Sequence, residues 1–175
     1  MLEIFLKTLP FFAIIGLGYF AARSSFFSAG ATVYLTKFVF YFALSAMLFN
    51  FSANLNLGEL FSWDFTLAYL VATFFIYSVG FCIALTRKLP IVEAAVEAQC
   101  CSIGNVGFLG IPMLAILMGN EAVGYVMIAL AVDLIVFGSL IVLVIVAARG
   151  GIVRLSLIST LLAGLVRNPM IVAIV

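Results

Sequence analysis

The chain has 175 residues, of which 67% are hydrophobic and 9% charged, with a net charge of +1 and no histidine. So few polar residues cannot cover the surface of a soluble domain, so the chain belongs in a lipid bilayer, and no nucleic-acid partner is expected. Without histidine, His-based metal sites, Ser/His triads and imidazole proton shuttles are excluded.

A transmembrane helix needs roughly 20 mostly apolar residues, and the chain divides into segments of that size. The first covers about 4–22, with Pro10 as an expected kink and Arg23 at its end. Acidic Glu3 stands where a signal peptide would carry basic residues, so this helix is expected to stay. The second covers about 31–52, with Lys37 near its start, close enough to the interface to snorkel, and Asn50 near its end. A polar connection follows, holding Glu59, Trp63 and Asp64. The third span, about 65–86, carries no charge and ends at Arg87, Lys88 and Pro90. The fourth, 91–118, has 28 residues, too long for a straight helix across a core of roughly 30 Å. After Gly119-Asn120-Glu121 the fifth continues to about Ala148.

From 149 to 167 apolar residues alternate with Arg154, Ser156, Ser159, Thr160 and Arg167, the pattern of a helix lying in the interface. Asn168-Pro169 then opens a sixth apolar run, which stops at Val175, too short to cross. Arg23, Lys37, Arg87, Lys88, Arg149, Arg154 and Arg167 fall at alternate connections, whereas Glu59, Asp64 and Glu121 fall at the others, with Lys7 the exception. Positive residues stay in the cytoplasm, so the N-terminus is expected outside. Cys82, Cys100 and Cys101 lie in apolar segments without CxxC spacing and read as reduced packing residues.

Within the fourth segment, Gly104, Gly107 and Gly110 weaken the helix, and Pro112 has no N–H and crowds the carbonyl of Phe108. The backbone is expected to break here. In hydrocarbon, irregular backbone survives only where protein buries it or a wet cavity meets it. A helix starting at Pro112 would aim positive N–H groups into such a cavity, while one stopping near Gly104 would offer carbonyls. The other reading is a proline kink repaired by a neighbouring helix, with the glycines serving close packing.

Asn105 is the best polar candidate for touching a ligand, because its amide can both donate and accept. Cys101 and Ser102 are candidates by position. Asp133, in the middle of the fifth span, costs at least about 2.5–3.5 kcal/mol to insert and should face the interior, as part of an ion or proton pathway or as a hydrogen-bonded structural group. Glu93 reads as an interfacial partner for Arg87 or Lys88; Glu97, one turn deeper, is a candidate for coupling or for a buried ion pair.

The stretch Gly104-Asn105-Val-Gly107-Phe-Leu-Gly110-Ile-Pro112-Met113 resembles the auxin efflux carrier family, whose bacterial members include malonate and malate transporters. Gly16-Leu-Gly18-Tyr19, the run from Phe38 to Leu44, and Arg167-Asn168-Pro169 match as well. The resemblance covers the chain but only the first half of a family member. It implies an all-α polytopic fold: five transmembrane helices plus the start of a sixth, one inverted-repeat half of a ten-helix crossover transporter. Residues 1–64 would then be scaffold, 65–148 the transport-domain helices around a broken crossover helix at 91–118, 149–167 a cytoplasmic interfacial linker, and 168–175 the truncated start of helix six. Asn105, Gly107, Gly110 and Pro112 would border the substrate. Ser45 stands where the family usually has proline, which puts the kink there in question.

Together these observations predict a transporter, in the plasma or inner membrane, of small organic anions such as malate, malonate or auxin-like acids. It would use no cofactor and no metal, with H⁺ or Na⁺ as the coupling ion. A second five-helix repeat, from the same longer chain or a second copy, is the expected partner, and a fragment of a longer carrier is favoured over a dimerising half. A sodium-coupled symporter of the bile-acid type and a non-transporting membrane subunit are the alternatives. An enzyme is not expected, since one deep aspartate cannot form an aspartyl dyad and no histidine is present to activate a serine.

Overall fold

The structure, a computed structural model, describes residues 2–55, 61–150 and 155–174, and the side chains within them except those of 155–158. Glu59 and Arg154, which contribute to the charge asymmetry, lie outside the described residues, as does the Ser156 side chain. Helices α1 (Leu2–Arg23), α2 (Ala29–Asn54), α3 (Trp63–Thr86), α4 (Ile91–Ser102), α5 (Ile111–Met118), α6 (Asn120–Ala148), α7 (Leu155–Val166) and α8 (Pro169–Ile174) follow in order. Five stretches among the described residues are long and apolar enough to cross a bilayer: α1, α2, α3, the α4–α5 segment and α6.

Side chains at the helix starts satisfy the first backbone donors. Ser28 accepts from the Ala31 N–H at 3.1 Å, and Ser62 accepts from the Phe65 N–H at 3.2 Å, with Asp64 adding negative charge in the first turn of α3. Lys88, at φ 61°, and Pro90 turn the chain from α3 into α4. Pro10 does not break α1, which stays helical from Leu2 to Arg23 and buries none of its residues.

Helix α6 is the centre. Its Val123, Met127 and Leu130 pack with Leu44 and Leu48 of α2, Ile111 of α5 and Met170 of α8. Its Val132 and Phe137 pack with Tyr77 of α3 and Ala98 of α4. Lipid tails are as apolar as leucine, so close approach rather than water exclusion must hold such helices together. The α3–α4 contact shows this: a Cβ on Gly80 would lie 3.4 Å from the Ala98 Cα and 3.4 Å from the Cys101 Cβ, and Ala94, Ala95 and Ala98 are fully buried. At the other edge, the Ser52 hydroxyl donates to the Ile174 carbonyl at 2.8 Å and ties α8 to α2.

The helical path is interrupted in the fourth segment, but not where the proline suggests. α4 ends at Ser102, Ile103 is extended (φ −103°, ψ 122°), and the chain re-enters a helix at Val106, with Asn105 as its cap. Val106–Gly110 form a wide turn closed by Gly110 N–H to Asn105 C=O at 3.0 Å, five residues back. Pro112 follows in the first turn of α5. The physical reason is that the widened turn already moves apart the carbonyls a proline ring would strike, so Pro112 is accommodated, and the glycine-asparagine pair marks the interruption.

Candidate functional site

Two more wide turns occur among the described residues, at Val39–Leu44 within α2 and at Asp133–Phe137 within α6. All three meet at one cavity. It measures about 270 Å³, and its lining includes Phe40 from the first turn, Val106, Gly107 and Phe108 from the second, and Asp133, Leu134 and the adjoining Gly138 from the third. Gln99, Gly104 and Asn105 complete the polar and backbone part of the wall.

Asn105 and Asp133 share this cavity because each lies 14 residues from Gly119, where the backbone turns at φ 87°. The fourth segment and α6 therefore form a hairpin that brings both side chains to one level. The Asn105 Oδ1 accepts from the Phe108 N–H at 3.2 Å, and since a backbone N–H can donate only to the amide oxygen, the Asn105 NH₂ is turned away from its own helix. The Val106 and Gly107 N–H groups belong to the first turn, where no intrahelical acceptor exists, and the helix's partial positive charge is concentrated there. A Cβ on Gly107 would come within 3.3 Å of the Met170 Cε and 3.5 Å of a Leu44 methyl, so that position accepts a side chain only if the neighbours move.

Asp133 is buried, at 5% exposure. The Tyr69 hydroxyl lies 3.0 Å from one of its carboxyl oxygens and 3.1 Å from the other. The ion pairs found among the described residues, Glu3 with Lys7 and Arg87 with Glu97, leave it without a cation. The Gln99 Oε1 is also buried and has no hydrogen-bond partner among the described residues.

The remaining candidates fall elsewhere. Gly110 lines a separate apolar cavity of about 370 Å³ with Phe65, Tyr69 and Tyr125. Pro112 is half-buried in α5 and lines neither cavity. Cys101 is exposed and packs toward Gly80, and the Ser102 hydroxyl donates back to the Ala98 carbonyl at 2.9 Å. Glu97 pairs with Arg87, the partner expected for Glu93, and does not reach the cavity. Tyr69 is the residue the sequence reading missed. It heads a stripe of Tyr69, Thr73 and Tyr77, four residues apart along α3 and facing α6, and that spacing in an uncharged span was a usable signal.

The interrupted fourth segment thus lies beside a buried carboxyl, and comparison with known proteins gives the family. Residues 3–173 match the family model described as "Membrane transport protein". The chain belongs to this family, that of the auxin efflux carriers. With its apolar helices, membership makes it a multi-pass membrane protein of a transport family. A protein of Rhizobium meliloti (strain 1021) named "Putative malonate transporter" is 34% identical over 122 residues, which cover 69% of this chain and 38% of that protein. The matched segment is thus well under half of the relative's length. No solved structure matches the chain.

Proposed function

We propose that this chain forms one half of a carrier that moves small organic anions, carboxylates such as malonate, malate or auxin-like acids, by alternating access around the interruption at Ile103–Asn105. The observation that carries the reading is the Asn105 amide. Its oxygen is committed to the Phe108 N–H, which leaves its two N–H donors, with the first-turn N–H groups of Val106 and Gly107, to face a carboxylate in the cavity. The name of the Rhizobium relative supports a dicarboxylate.

In this reading the fourth segment is the crossover helix of an inverted-repeat fold. Helices α1 and α2 are scaffold, and α3 to α6 are the moving part. The opposing crossover comes from a second five-helix repeat, in the same longer chain or in a second copy. The N-terminus faces outward across the plasma or inner membrane, and H⁺ or Na⁺ drives the cycle. The test is uptake of labelled malonate, malate and indole carboxylates by the full-length protein in liposomes. Saturable uptake of one of them is expected, and the absence of uptake or binding of every one refutes the reading.

A further inference from the structure

We propose that Asp133 carries the proton that travels with the anion: the carboxyl is protonated while an organic anion occupies the cavity beside Asn105, and it releases that proton when the anion leaves. This deepens the carrier reading and rests on it.

Three observations combine. First, Asp133 lines the same cavity as Asn105, so an ionised Asp133 and a bound carboxylate would face each other. A sphere of 270 Å³ is about 8 Å across, and two like charges about 6 Å apart at an effective permittivity of about 20 weaken binding by about a hundredfold. Second, no ion pair among the described residues neutralises Asp133, which is 5% exposed. A proton does so without enlarging the site. Third, the Tyr69 hydroxyl lies at nearly equal distances, 3.0 and 3.1 Å, from both carboxyl oxygens. A hydroxyl so placed donates to the carboxylate when the acid is ionised, and it can accept from the protonated oxygen while donating to the other when the acid is neutral. Either state of Asp133 is therefore held in the same rotamer.

The surroundings contain little else that titrates. From α3 the facing groups are Tyr69 and, beside Val132 and Phe137, Tyr77; α4 presents Gln99, and the segment after it Asn105. Phe40 of α2 and Met170 of α8 close the wall. Asp133 is the carboxyl among them, and Glu97 is engaged with Arg87 away from the cavity. The proton is taken from water on the side where the anion enters and is returned to water on the side where it leaves.

The experiment measures malonate affinity of the full-length protein against pH, and the protons taken up on binding in weakly buffered solution. Above the midpoint of Asp133 the affinity is expected to fall about tenfold per pH unit, with about one proton taken up per malonate. In Asp133→Asn, a neutral isostere of the protonated acid, malonate still binds, proton uptake drops by that one proton, and the pH dependence that remains is the ligand's own. Tyr69→Phe moves the midpoint but keeps one proton per anion, a result that a merely structural role would not produce. The proposal is overturned if the unmodified protein binds malonate without taking up a proton from Asp133, if Asp133→Asn keeps the native pH profile, or if folded Asp133→Asn loses binding at every pH. Binding that requires Na⁺ at fixed pH, with no proton uptake, also overturns it. The proton count on the unmodified protein decides the matter even if Asp133→Asn does not fold. Failure of that protein to bind any small carboxylate, by contrast, overturns the carrier reading and this proposal with it.

Discussion

Asn105 has two separable tasks, capping the helix that begins at Val106 and presenting N–H donors to the cavity, and a pair of substitutions divides them. Asn105→Ala removes both. Loss of the bond from the Phe108 N–H, 3.2 Å long in the native chain, costs about 1 kcal/mol of stability, as cap removal generally does. Loss of a donor to a charged ligand costs about 1.5–3 kcal/mol of binding, or roughly 10- to 150-fold in affinity. Asn105→Asp keeps the cap, because a carboxylate oxygen accepts from the same N–H and suits a helix N-terminus, so stability stays within about 0.5 kcal/mol. It also exchanges a donor for a negative charge about 4–5 Å from the ligand, adding about 3–4 kcal/mol at an effective permittivity of about 20, and no measurable binding is expected at neutral pH. Thermal unfolding in detergent reads the cap, and equilibrium binding of labelled malonate reads the donor. Should Asn105→Asp bind as well as the native protein, or bind better than Asn105→Ala, the amide does not face the anion and the placement of the substrate is wrong.

Three further outcomes follow from the packing. Gly80→Leu forces apart α3 and α4, where even a Cβ meets backbone and Cys101 at 3.4 Å, and is expected to destabilise the protein by about 1–3 kcal/mol in thermal unfolding. Ser45→Pro gives up the Ser45 N–H bond to the Phe42 carbonyl and the hydroxyl bond to the Phe40 carbonyl, at about 1 kcal/mol each. It is still expected to cost less than Val71→Pro in the middle of α3, at about 3 kcal/mol, because the wide turn at Val39–Leu44 has already opened the helix ahead of residue 45. Glu97→Gln breaks the pair with Arg87, whose side chains are 33% and 59% exposed, and should lower stability by less than about 1 kcal/mol while leaving the pH dependence of malonate binding unchanged.

The apolar spans and the interruption of the fourth one were legible because bilayer thickness sets a length and backbone chemistry sets a penalty, and both act on contiguous sequence. The first helix stops beside Gly104, as expected, but the restart lies at Val106 rather than at Pro112, because proline reports only a missing N–H and a bulky ring. Where the chain leaves the helix is decided by Gly104 and by the ability of Asn105 to cap, and the wide turn then absorbs Pro112. The partner of Arg87 was ambiguous for a similar reason: Glu93 and Glu97 share a helix face, and the turn at Lys88 and Pro90 determines which is presented to the guanidinium. The bond between Tyr69 and Asp133 joins residues 64 apart and was out of reach of any local pattern. Even so, the equal distances of Asn105 and Asp133 from Gly119 and the four-residue spacing of Tyr69, Thr73 and Tyr77 held the information in outline.

The three wide turns explain how an apolar bundle can gather a few polar groups around one cavity. In a regular α-helix every interior carbonyl is taken by the N–H four residues on, and a side chain must supply any polarity at its surface. A wide turn shifts that pairing by one residue and alters the direction in which nearby side chains project. At Val39–Leu44 the shift lets the Ser45 hydroxyl reach the Phe40 carbonyl at 3.2 Å, where proline would supply no donor. At Val106–Gly110 it leaves the Asn105 carbonyl to accept from both Leu109 and Gly110, so the cap is anchored through its backbone as well as its side chain. At Asp133–Phe137 it begins at the one acidic residue of the cavity wall and closes through Gly138 N–H to the Asp133 carbonyl. Each turn thus holds a residue that borders the cavity; the turn at Val106–Gly110 packs against α6, which carries Asp133, whereas the turn at Val39–Leu44 packs against α8 and reaches the α6 core through Leu44. Movement of α6 relative to the interrupted segment would alter the Asp133 and Asn105 sides of the site together, as a carrier that binds an anion and a proton in one step requires.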